Sequence, residues 1–367
     1  MAELAPHFIV SIGGMSFENA PGSSGFGTAF GAPLQRPMKL EIEHRDHESS
    51  RLMLTVHDSA TPITGGTPFP IFNGTPDPHV TDGVPVLCTA AWDDKASPIT
   101  IFQGQLVGKK NKYPAASTTV FTALHDSHRL RKKAESDTYP NHNVQQMLQA
   151  EAAKQNCTIV VDPSAAGDPA LVTTMEVIYK IAQSNWQVML HYLVTFGFIS
   201  CCGDPATSAN TIVIKKDKTN DPQFPFQFGG TEYVSHDIRS EQKRPSRSEQ
   251  RRGHAHETVA GKHQDDTDGS DPVGGQSMQP SARAHGRTVQ YSKGFFAKAS
   301  TNNLARQLER QGREIQITVR FQPKMHNEEQ IVLSGFGPQI DGVWETAEVV
   351  HRMGSEPART NIVAYQK

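Results

Sequence analysis

The chain reads as a mainly β protein of the α+β class, with two strand-rich blocks separated by a small α+β insert. Three observations carry this. Apolar residues alternate with polar ones through the first 125 residues and again near the C-terminus, the mark of half-buried strands. Between the blocks the spacing changes to three and four, the mark of helices. The 29 Gly and 24 Pro, with a mean hydropathy of -0.49, call for many turns and sizeable polar loops, not a helical bundle. At 367 residues the chain exceeds one ordinary core, and two or three domains are expected.

The first block covers residues 1–125. KLEIEH sets Leu40 and Ile42 on one face, and RLMLTVHD does the same with Leu52, Leu54 and Val56, so a bend at 45–50 makes a hairpin. VPVLCTAAW aligns Val84, Val86, Cys88, Ala90 and Trp92; ITIFQGQLVG and STTVFTAL add two more strands. Five or more antiparallel strands with one apolar face close on themselves or on a second sheet, as a barrel or sandwich. Two Gly/Pro-rich stretches, 13–37 and 59–83, read as surface loops. The first holds GFGTAFG, but no Lys-Ser/Thr or helix follows it, so a phosphate loop is not expected.

The insert covers residues 126–210. NVQQMLQAEAAK places Val144, Met147, Leu148 and Ala152 on one helical stripe, capped by Asn141 or Asn143. SNWQ opens a second helix, with Ser184 and Gln187 spaced as a capping box and Gly197 as its stop. TIVV (158–161), FISCC and TIVIKK (211–216) read as strands around these helices.

The second block takes residues 211–235 and 289–367. It contains a short helix at 301–311, the alternating EIQITVRF, and the strands IVLSGFG, GVWETAEVVH and TNIVAY. Residues 236–288 interrupt it with Gly, Pro, Ser, Arg and Asp and almost no large apolar side chain. Such a segment cannot bury enough to fold alone, and is extended, disordered, or ordered only against a neighbour.

Chemistry-bearing patterns are weak. The insertion holds His236, His254, His256, His263 and His285, of which His254, His256 and His263 could be imagined as ligands of a metal-dependent hydrolase, but the H-E-x-x-H spacing is absent. KRPSRSEQRR (243–252) is interleaved with Glu, lacks aromatics and precedes the acidic QDDTDGSD; with a net charge of -2 overall, no nucleic-acid binding is expected. Asp93 and Asp94 are adjacent and point apart, which suits a turn and not a glycosidase pair. No G-x-S-x-G is present. Cys201 and Cys202 show no nearby basic partner in sequence, and the four cysteines are expected reduced and mostly buried. His351 and His125, each ending an apolar strand, read as hydrogen-bonded packing residues. No catalytic, cofactor or metal residue is assigned, and the chain is expected not to be an enzyme. No apolar run reaches bilayer length and MAELAPHFIV has no signal-peptide pattern, so synthesis in the cytoplasm without membrane insertion is expected.

The order of these pieces resembles the late control D family of phage tail baseplate hub proteins, related to the N-terminal half of type VI secretion spike proteins. FQGQLVGKK followed by TTVFTALHDSHRLRKK is similar to the family's "f-x-G-x-v" strand and the strand leaving its first barrel. YPNHNVQQMLQAEAAKQNCTIV and IAQSNWQVMLHYLVTFGFISCC are similar to its two helices, with Asn185 where Asp is common. VLSGFGPQIDGVWETAEVVHRMGSEPARTNIVAYQK is similar to its closing strands. The departures are the long polar insertion and NEEQIV, which lacks the Gly that often precedes those strands.

The resemblance implies two tube-like antiparallel β-barrels per chain and a homotrimer whose six barrels join a sixfold tail tube to a threefold spike. It implies as partners a central spike protein, a tail tube or tube-initiator protein, and beyond them baseplate wedge and tape measure proteins. The setting it implies is a virion tail baseplate, assembled in the host cytoplasm, of a contractile tail or tail-like particle. The alternatives are the hub of a long non-contractile tail and the core of a secretion spike complex. With neither β-helix repeats nor a lysozyme-like domain, the spike would be a separate polypeptide.

Overall fold

The computed structural model describes residues 6–13, 15–19, 26–29, 32–57, 83–91, 97–112, 118–205, 209–219, 221–239, 253–255, 264–266, 314–354 and 357–366. Eight strands build the first block: β1 (His7–Ile12), β2 (Met15–Asn19), β3 (Phe26–Ala29), β4 (Ala32–Arg45), β5 (Arg51–His57), β6 (Pro85–Ala91), β7 (Ile99–Lys112) and β8 (Thr118–Leu124). Antiparallel pairings link them in a circuit, β1-β2-β3-β4-β5-β8-β7-β6 and back to β1. Alternation sends one face of each described strand inward, so Phe8, Val10 and Ile12 of β1 meet Leu52, Leu54 and Val56 of β5 in a single core. Residues 13–37 depart from the loop reading: β2, β3 and the start of β4 lie there, and Phe17 is fully buried. Met15 and Phe17 alternate with Ser16 and Glu18 in β2, but β3 and the start of β4 are rich in Gly, Ala and Pro and show no such alternation.

The insert follows a 3-10 turn (Asp126–Arg131). It contains β9 (Ala134–Pro140), α1 (Val144–Ala153), β10 (Thr158–Val161), α2 (Pro169–Val172), β11 (Val177–Ser184), α3 (Asn185–Phe196), β12 (Ile199–Cys202) and β13 (Thr211–Lys215). Both helix starts are closed by full capping boxes, Asn143 with Gln146 and Ser184 with Gln187, which satisfy orphan amides reciprocally. Gly197 ends α3 at φ 80°, a left-handed conformation that costs a glycine nothing. The stripe of α1 packs with Trp186, Met189 and Leu193 of α3 in a second core. One boundary moves: β13 pairs with β10 and β12 and buries Ile212 and Ile214 in that core, so the strand at 211 belongs with the insert and not with the second block.

The second block holds β14 (Gln223–Gln227), β15 (Tyr233–Arg239), β18 (Glu314–Arg320), β19 (Gln330–Ser334), β20 (Gly342–Met353) and β21 (Arg359–Gln366); the short strands β16 (Gly253–Ala255) and β17 (Gln264–Asp266) pair only with each other among the described residues. Its strands run β15-β18-β21-β20-β19-β14, all antiparallel except β14 with β19. Among the described residues this block is an open sheet, not a closed barrel, with β15 and β14 as its free edges. The polar insertion begins later than 236: β15 continues through Arg239, with Ile238 packed against the third core. The helix expected at 301–311 lies outside the described residues.

β20 joins the blocks. Its first half pairs with β19, and its second half, Glu348 to Met353, pairs with Arg45 to Leu40 of β4. The switch falls at a register shift between Thr346 and Glu348, where one extra residue re-aims the strand. The sheet therefore does not stop at the first circuit: it runs on through β4 into β20, β21, β18 and β15.

Candidate assembly interface

One buried lysine bonds to residues of both β blocks. Lys218 follows β13, and its side chain is fully buried. Its ammonium donates to Asp46 at 3.0 and 3.1 Å and to the carbonyls of Asn327 and Thr346. Asn327 donates its side-chain amide to the same Asp46 at 2.9 Å. The node thus ties the β4–β5 turn, the insert and the second block together. Burial pulls against the Lys218 charge, and Asp46 outweighs it, so the ammonium is held above its ordinary value. Across the seam Arg45 adds a more exposed pair to Glu348 at 2.9 Å. A second buried network, Lys180 with Glu151 and Asn185 at 2.6 Å each, fixes β11 against α1 inside the insert.

What is left over faces outward. The β9–β11 ribbon has free edges among the described residues and carries Tyr179 and Ile181 at 61% and 71% exposure. At the far side of the second block Phe228, Tyr233, His236 and Phe336 form a ring cluster with centroids 5.3 to 6.2 Å apart, and Phe228 is half exposed. Unpaired strand edges beside exposed apolar side chains are surfaces suited to protein contact.

The histidines singled out from sequence fall into separate places. His351 is fully buried, with Nε2 donating to the Met325 carbonyl at 2.7 Å and Nδ1 against the Thr360 hydroxyl at 3.0 Å. Trp344 is buried and donates its indole N–H to Ile340 at 2.8 Å. His236 sits in the aromatic cluster, its Nδ1 2.5 Å from the Tyr233 hydroxyl. The side chains of His254, His256, His263 and His285, the basic run 243–252 and the Asp93–Asp94 pair lie outside the described residues. Ser334 of LSGFG ends β19. Among the described residues no group of three or more His, Cys, Asp and Glu is placed to hold a metal, and no helix is long and apolar enough to cross a membrane.

The reading of Cys201 and Cys202 is corrected. All four cysteines are free and buried, but His125 lies beside Cys202 and both carry shifted acidities. Burial alone would raise the Cys202 thiol; the imidazole outweighs burial and, with the Ser50 amide donating to Sγ at 3.3 Å, brings it down to about 7. Cys201, with Asp46 at hand, is held well above the ordinary thiol value, chiefly by burial. Sequence gave no sign of this partnership, because His125 and Cys202 are far apart in the chain and meet only where the insert docks on the end of β8.

A scan of protein-family models and a search of curated proteins return no match. Solved structures do match. The 43 kDa tail protein of prophage MuSo2 from Shewanella oneidensis superposes with a TM-score of 0.63 at 10% identity, covering 98% of both chains. The tail protein from Neisseria meningitidis MC58 gives 0.65 at 11%, covering 99% of this chain and 97% of that one. An E. coli component of the type VI secretion system, described as structurally similar to T4 bacteriophage tail proteins, gives 0.56 at 10% over 91% of this chain and 75% of its own. Over nearly its whole length the chain has the fold of the two tail proteins, mainly β as the sequence resemblance implied, although among the described residues the second block is an open sheet and not the closed barrel expected.

Proposed function

We propose that the chain is a structural tail protein: the trimeric baseplate hub that joins the sixfold tail tube to the threefold central spike of a contractile phage tail or tail-like particle. One observation carries this above the others. The fold likeness to two tail proteins covers nearly the whole of each chain. A second supports it: two β blocks are fused through β4 and β20, which gives each subunit two strand-rich units to place around a ring. Three such subunits present six units to a sixfold tube and three repeats to a spike. A ring of this kind uses heterologous contacts, for which the free edges and exposed side chains of the ribbon and the aromatic tip are available.

In this reading the protein binds no cofactor and is not an enzyme. Its partners are two further copies, the spike, the tube or its initiator, and the wedge and tape measure proteins, within the virion tail. The core of a secretion spike complex is the second reading, favoured by the likeness to the type VI component. Light scattering of the purified chain, alone and mixed with a central spike protein from the same particle, tests the proposal. A mass of three chains with the spike is expected; a monomer that ignores spike and tube contradicts it.

A further inference from the structure

Three imidazoles meet at the joint between the β blocks. His44 on β4 and His351 on β20 lie diagonally across the seam on its inner face, since His44 is opposite Val349 and His351 opposite Ile42. Their ring centroids are 6.0 Å apart and nearly perpendicular, and His326, from the loop between β18 and β19, sets its ring 6.3 Å from His44. Ile42 belongs to the first core and Val349 to the third, so this seam is where the two β cores adjoin.

The surroundings are built for neutral rings. His44 has the Ser50 hydroxyl at 2.9 Å and a backbone contact from Ile101 on β7. His351 has a hydroxyl from Thr360 on β21, the Met325 carbonyl, and the edge of Phe321 at 5.5 Å. Neither hydrogen-bonds a carboxylate. The charges facing the cluster come from other elements: Glu329 at 3.1 Å from His326, Asp204 after β12, Lys215 at the end of β13, Lys218, and His125 at the end of β8. They give poor compensation. Burial holds Glu329 protonated to about 9, Lys215 is engaged by Asp221 and Glu328, and Lys218 and His125 add positive charge. A cleft of about 340 Å³ lined by His44, Met325 and His326 opens the cluster to solvent protons.

We propose that His44, His326 and His351 form an acid-sensitive latch on the β4–β20 seam, closed while the three imidazoles are neutral and released when they take up protons. Burial depresses His326 and His351 to about 4, and His44 likewise falls well below its ordinary 6.5. The sign follows. The unfolded or opened chain binds protons that the closed seam refuses, so closure is fully stable above about 6.5 and weakens as pH falls from there towards 4. The latch is independent of the hub reading, because it concerns one chain.

Amide exchange of the full chain at pH 7.5 and 4.5, corrected for intrinsic rates, tests it. Residues 40–45 and 348–353 should lose protection at least about tenfold more than α1, which carries no histidine, since each unit of depression is worth a factor of ten. In the H44Q/H326Q/H351Q variant that excess should vanish. A parallel loss in seam and α1, or an excess that survives in the variant, overturns the latch. Should the variant not fold, imidazole titration of the native chain by NMR decides: three rings neutral down to about pH 5 support the latch, and titration near the free value of about 6.5 overturns it.

Discussion

Trp344 is the residue whose role can be stated most simply. It lies in β20 just before the strand leaves β19 for β4, its ring fills the third core and its N–H is satisfied by Ile340. Trp344→Ala should cost about 3–5 kcal/mol in urea denaturation, through lost burial and the cavity left behind. The expected phenotype is failed assembly. Cys202 makes a chemical prediction at the same scale. Its folded value of about 7 lies below the ordinary thiol value, so the thiolate stabilises the fold fully above about 9, and that contribution is lost as pH falls through 7. Thiolate absorbance should show a step near pH 7 that His125→Ala moves upward. The absence of any step below pH 9 in the native chain would show that the imidazole does not act on the sulfur.

At the scale of elements, the strand FQGQLVG shows why a short glycine pattern can mark a fold. A Cβ on Gly104 would sit 2.3 Å from the Leu124 carbonyl oxygen and 2.9 Å from the Phe102 ring, because β7 crosses the end of β8 at this point. Gly104→Ala therefore forces backbone to move, and should cost about 1–3 kcal/mol or more by thermal unfolding. Much of this level was legible in the sequence. The hairpin of β4 and β5, the stripes of α1 and α3, the Ser184 box, the Gly197 stop and the alternation of β18 all follow from local rules, and local contacts decide them. What escaped was decided elsewhere. β2 and β3 lie in a Gly-rich stretch where register comes from neighbouring strands. TIVIKK could have joined either block, and its parallel pairing with β10 is a long-range choice that alternation cannot reveal. The Lys218 node and the His44–His326–His351 cluster draw on residues hundreds of positions apart in the chain, and no local pattern announces them.

At the scale of the molecule, the structure is two strand-rich blocks held in fixed register by one shared seam, with an insert docked beside it and bolted by Lys218. Rigidity of this kind is what the proposed hub role calls for. The measurement that tests the central claim most directly is a density map of the assembled particle containing this chain. The account predicts three copies on the tail axis, six β blocks in one ring, with the tube on one side and the spike on the other. A chain found off the axis, or present in any number other than three, would contradict it.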